Sequence, residues 1–137
     1  MIQPIVTNPP LQLTSKAQPA TIADHQIIID LKDTLAAHKE HCVGMAANMI
    51  GQNKHIIIAE IGAFPLIMVN PIITKHQEAY STSEGCLSLS GERPTTRYQA
   101  ITVKYQTEQF QPKTQQFTGF VAEIIQHEID HCEGILI

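Results

Sequence analysis

The chain has 137 residues, 43% of them apolar and 16% charged, a globular composition that excludes intrinsic disorder. Its length allows one domain with a real core and is too short for two ordinary ones. A net charge of −4 and only nine scattered Lys and Arg leave no basic footprint for nucleic acid or an anionic membrane.

Residues 1–20, rich in Pro, Gln and Thr, read as an extended, irregular arm. Thr21 opens a helical pattern in which Ile27, Ile28, Leu31 and Leu35 recur at helical spacing. Asp24 puts a negative charge near the helix start, and the end is expected near Lys39 or His41. Residues 42–51 are small and apolar without clean periodicity, and Gly44 and the alanines after it permit close approach of another backbone. Residues 55–60 read as a buried strand and 65–69 as a second. Asn70-Pro71 reads as a turn before a third strand at 72–75. Residues 81–91 are small and polar around Cys86. Ile101, Val103 and Tyr105 alternate with polar residues, as in a half-solvated antiparallel strand, and 115–117 suit a short further strand. Residues 118–132 form the last helix, with Phe120, Val121, Ile124, Ile125 and Ile129 as its apolar face and Gly134 as its stop. This order predicts an α+β fold, antiparallel sheets packed around a buried C-terminal metal-binding helix, in a single domain spanning 1–137.

Three cysteines, Cys42, Cys86 and Cys132, form no CxxC pair and fit a reducing compartment better than a disulfide scaffold. The N-terminus lacks a basic segment followed by an apolar one, and no apolar run approaches the ~20 residues of a membrane span. A soluble, cytoplasmic protein is expected.

The strongest local signal is His127-Glu128-Ile129-Asp130-His131. Helix positions i and i+4 share a face, so both imidazoles reach one metal, and Glu128 beside them can take a proton from activated water. An isolated HExxH also arises by chance in ordinary helices. Here the remaining helix positions are apolar and imply burial, and buried imidazoles and carboxylates need partners that a metal supplies. Two imidazoles do not complete a site. Downstream only Glu133 is a donor, and two positions after His131 it points away from the metal-facing side. The third ligand is therefore expected upstream, and Cys86 is the best candidate. Cys132 adjoins His131 on the same helix and cannot converge with it. His25, His38 and His41 read as surface histidines.

These residues resemble the peptide deformylase family. Its motifs run roughly GφGφAAxQ, EGCLS and HExDH, φ being apolar. Glu84-Gly85-Cys86-Leu87-Ser88 matches the second in full, and residues 127–131, preceded by Gln126, match the third. Residues 42–49 match the first in part. The resemblance spans almost the whole chain. It implies a hydrolase that removes the N-terminal formyl group from formyl-methionyl peptides of nascent chains. It implies one divalent metal on Cys86, His127 and His131, natively Fe(II), with Zn(II) or Ni(II) as substitutes. Glu128 would shuttle the proton to the leaving amine. The backbone N–H of Leu87 and the side chain at position 49 would face the oxyanion. The peptide would lie along Val43-Gly44 like an added strand, near Gly85, with its methionine in an apolar pocket by Val43 and Ile124.

The first motif departs from the family at two positions, Cys42 for its first glycine and Met49 for its last glutamine. A thioether donates no hydrogen bond, and losing one oxyanion donor typically costs ~10²–10³ in rate. Asn48 is expected to point to the opposite side if the segment is extended, and Gln52 comes three residues late. Only residues 132–137 follow the metal helix, where the family usually continues; dimerisation is one way to restore that cover. Two other functions compete. One is a catalytically weakened paralogue that binds metal and formyl-peptides or a protein partner. The other is a protease of internal peptide bonds, which the missing downstream ligand argues against.

Overall fold

The computed structural model describes residues 1–5, 16–40, 42–62, 64–86 and 89–135, the side chains of residues 86, 89 and 90 excepted. A 3₁₀ turn at Ile22–Asp24 leads into α1 (His25–Ala37). The turn is closed by the Thr21 N–H donating to Asp24 Oδ2 at 2.9 Å, so the acidic residue expected at the helix start holds it. Ile27, Ile28, Leu31 and Leu35 are all buried, as their spacing requires. α1 ends at Ala37, short of Lys39, and His41 lies outside the described residues.

Five strands follow: β1 (Gly44–Ala46), β2 (Ile56–Ile61), β3 (Phe64–Cys86), β4 (Leu89–Gln106) and β5 (Pro112–Thr118). They pair antiparallel in that order, and β5 runs into α2 (Gly119–Cys132). The uninterrupted apolar run in β2 reflects cover on both faces. Ile56 and Ile58 pack with α1, whereas Ile57 and Ala59 pack with α2. A period of two sends alternate side chains to opposite cores. No described helix is long and apolar enough to cross a membrane.

The two strands expected at 65–69 and 72–75 are one. β3 runs straight through Asn70 and Pro71, where its register against β4 slips between Val69 and Ile72. Asn70 adopts φ +51° and is pinned by its own amide. Its Nδ2 donates to the Ala20 carbonyl at 3.0 Å and to Gln106 Oε1 at 2.9 Å, and its Oδ1 accepts from the Ala20 N–H at 2.9 Å. Pro71 sits at the slip, where a missing N–H breaks no ladder bond. Sequence cues for a turn thus mark a bulge. The 3₁₀ segment Ala47–Ile50 likewise replaces an extended end to the first motif.

Three contacts place α2. Gly44 is the first. A Cβ there would come within 2.7 Å of Ile124 Cγ2 and 3.1 Å of both Glu128 Oε2 and the Ile58 carbonyl, so only glycine lets β1 lie against the helix. Gln126 is the second. Where β5 ends, its side chain continues the ladder, accepting from the Tyr98 N–H at 2.9 Å and donating to the Tyr98 carbonyl at 2.9 Å. The third is a buried charge cluster joining β3, β4 and α2. Arg97, 4% exposed, donates to Glu84 through Nε at 3.0 Å and Nη2 at 2.7 Å, and to Asp130 through Nη1 at 2.6 Å. Gly134, at φ +80°, stops the helix. Its N–H bonds the His131 carbonyl at 3.1 Å, and the Ile135 N–H bonds that of Asp130 at 2.9 Å.

A further expectation is corrected. Phe120, assigned to the apolar core face of the last helix, is 64% exposed. The first turn of α2 overhangs the sheet, and burial begins at Ala122.

Gly44→Ala is expected to lower stability by about 1–3 kcal/mol, the usual cost of forcing a methyl into a filled interface, as read by urea denaturation. Arg97→Ala is expected to lose about 3–5 kcal/mol, because Glu84 would keep a buried charge without its partner. A loss below 1 kcal/mol in the same denaturation assay would contradict this account of the cluster.

Candidate functional site

α2 carries the site because residues at three-to-four spacing share one face, which mixes apolar and polar side chains. Positions 120, 123, 124, 127 and 128 all line a cleft of about 590 Å³. The opposite wall is Val43, Gly44 and Met49, and the end of the β3–β4 hairpin supplies Glu84, Gly85 and Glu92. Four carboxylates, Glu84, Glu92, Glu123 and Glu128, border the cleft, and no Lys or Arg does so among the described residues.

His127, Glu128 and His131 are 7%, 4% and 3% exposed, and each offers a ligand atom within 4.8 Å of the others. The imidazole centroids lie 4.5 Å apart, and His131 Nδ1 is 3.4 Å from Glu128 Oε1. His127 Nδ1 lies 2.7 Å from Glu84 Oε1. A carboxylate only accepts, so Nδ1 carries the hydrogen and Nε2 keeps its lone pair for a metal. Burial alone would raise the Glu84 carboxyl, but His127 and Arg97 outweigh it and hold the group down at about 2. Glu84 is therefore an anion that orients one imidazole. Two buried imidazoles and a carboxylate converging on one point fit a divalent cation.

The structure brings together most of the residues expected from sequence. Val43, Gly44, Gly85 and Ile124 line the cleft with His127 and Glu128, and so does Met49. Met49 is 1% exposed and packs among the α1-side core residues, its Sδ 3.5 Å from the Ala46 N–H. Asn48 is not among the cleft residues, although the segment is a 3₁₀ turn and not extended: its Nδ2 donates to the His131 carbonyl at 2.7 Å and steadies the last turn of α2. Gln52 is exposed and is not among the cleft residues. The backbone of Cys86 closes β3, but its side chain, with Leu87 and Ser88, lies outside the described part of the structure.

Four residues of this neighbourhood escaped the sequence reading. Glu84 and Asp130 lay inside recognised motifs without a role of their own. Arg97 had no spacing signal, being joined to them only by tertiary contact, although it is one of just two arginines. Glu123 stands one helical turn before His127, a spacing that places it on the metal-facing side. Tyr80 donates to Glu123 Oε1 at 3.0 Å. Burial and the neighbouring Glu84 carboxylate push the Glu123 carboxyl up, and burial with the Glu123 bond pushes the Tyr80 hydroxyl up to about 12.

Residues 2–137 match the model of the polypeptide deformylase family. A peptide deformylase of Clostridium beijerinckii is 51% identical over 137 residues, the whole of both chains. That of Pelotomaculum thermopropionicum is 40% identical over 82% of this chain and 74% of its own. Among solved structures, the Thermotoga maritima peptide deformylase superposes with a TM-score of 0.89 at 28% identity, covering 99% of this chain and 95% of that one. An actinonin-bound deformylase of Acinetobacter baumannii gives 0.88 at 30%, covering 99% and 95%. Relationship over the full length does not favour a paralogue reduced to binding. The chain belongs to the polypeptide deformylase family and is a metal-dependent hydrolase of formylated peptides.

Proposed function

We propose that the chain, acting as one domain in the cytoplasm, removes the formyl group from formyl-methionine at the N-terminus of nascent polypeptides. The metal is Fe(II), with Zn(II) or Ni(II) able to replace it, held by His127, His131 and Cys86. The observation that carries this reading is the buried convergence of His127, Glu128 and His131 beside an open cleft. The A. baumannii enzyme has been solved with Met-Ala-Ser bound, which supports a peptide in the same cleft here.

When bound, the cation acts as a Lewis acid and lowers the pKa of a water toward ~7. Every other role falls to the chain. Glu84 keeps His127 in one tautomer and orientation through the 2.7 Å contact. Glu128 takes the proton of the attacking water and delivers it to the leaving nitrogen. The edge of β1 at Val43 and Gly44 receives the peptide backbone, and Gly85 admits it closely from the other side. Ile124 supplies apolar wall for the methionine side chain. The N–H of Leu87 faces the oxyanion. Met49, which has no hydrogen to donate, leaves that donor unassisted from its own position.

Formyl-Met-Ala-Ser should yield free amine on incubation with the Fe(II)- or Ni(II)-loaded protein, and Glu128→Ala should lower kcat by about 10²–10⁴ while its metal content stays unchanged. Equal rates for the two proteins would sink the assignment of Glu128. Met49→Gln should raise kcat by on the order of 10², the worth of one oxyanion donor, with some loss of stability from placing an amide at a buried position. An unchanged kcat in a folded, metallated variant would mean that residue 49 does not face the oxyanion.

A further inference from the structure

The stripe of α2 that faces the cleft has a polar member the proposed chemistry leaves unused. Counting back from the metal group, the helix presents His127 and Glu128, then Glu123 and Ile124 one turn earlier, then Phe120. One turn is about 5.4 Å along the axis, roughly the reach of an unbranched four-atom side chain attached beside a scissile bond held at the metal group. A substrate side chain lying along α2 thus meets apolar Ile124 and carboxyl-bearing Glu123 together. Glu123 is held there. Tyr80, reaching across from β3, donates to its Oε1 at 3.0 Å, and Tyr80 itself is partly buried.

We propose that Glu123 is a specificity-determining residue, which gives the first side-chain pocket a polar wall and lets it accept a side chain ending in a hydrogen-bond donor nearly as well as an apolar one. This rests on the deformylase reading of the same cleft. A wholly apolar pocket rejects a terminal amide because the amide is buried unpaired. With a fixed carboxyl beside Ile124, the amide finds an acceptor and that discrimination shrinks. Glutamine and norleucine side chains have the length of methionine, so the comparison isolates polarity from size.

The experiment measures kcat and KM for formyl-norleucyl-Ala-Ser and formyl-glutaminyl-Ala-Ser with the Ni(II)-loaded wild type, Glu123→Leu and Glu123→Gln. The ratio of the two kcat/KM values does not depend on the fraction of active enzyme, so partial misfolding does not distort it. Wild type is expected to favour norleucine by less than about tenfold. Glu123→Leu should widen the preference by a further tenfold or more, mainly through KM of the glutaminyl peptide. Glu123→Gln, which keeps an acceptor oxygen, should stay within about threefold of wild type. A wild-type preference for norleucine above a hundredfold overturns the proposal by itself, whether or not the leucine variant folds. So does an unchanged ratio in Glu123→Leu. Either result leaves the deformylase reading intact, whereas no turnover of any formyl peptide by wild type removes that reading and this proposal together.

Discussion

Burying the polar face of α2 is the constraint on which the rest of the structure depends. That face carries two imidazoles and the carboxyls of Glu128 and Asp130, and a helix so furnished enters a protein interior only when each group finds a partner. Glu84 and Arg97 meet much of that demand. Arg97 pairs with Glu84 and Asp130 at once, and Glu84 in turn accepts from His127. One carboxylate therefore links strand pairing to the orientation of a site histidine. The far part of the long β3–β4 hairpin is what brings Glu84 and Arg97 to α2.

Where α2 meets β1, at Ile124 and Glu128, distance rather than charge governs the packing. β1 approaches so closely at Gly44 that a single methyl would strike Ile124, and this proximity makes a backbone edge one wall of the cleft. All three residues of the strand are buried. Polar side chains on one wall and the backbone of β1 on the other leave a cleft with the metal-site residues His127 and Glu128 between them.

Much of this was legible in the residues, and the limits have physical causes. Local periodicity identified both helices, because burial on one face imposes a three-to-four spacing that α1 and α2 obey. It failed for Phe120, since a helix can project beyond the sheet it packs on and periodicity does not report where the sheet stops. Asn70-Pro71 carried turn chemistry and formed a bulge instead. The positive φ that favours a turn serves equally to absorb an extra residue in a long strand. The polar cluster was half visible, with Glu84 and Asp130 inside motifs but Arg97 outside them.

The sequence by itself determined the chemistry. His127, Glu128 and His131 share a helix, so their convergence follows from 3.6 residues per turn, and the motif residues around Cys86 and Gly44 name the reaction class. Only the tertiary structure decided what surrounds them. Arg97 meets Glu84 across a hairpin and Asp130 across a sheet–helix interface. Tyr80 meets Glu123 in the same way, and Met49 packs into the core as it borders the cleft. Such contacts depend on strand register and helix placement, which arise from the packing of the whole chain and leave no periodic trace in its residues.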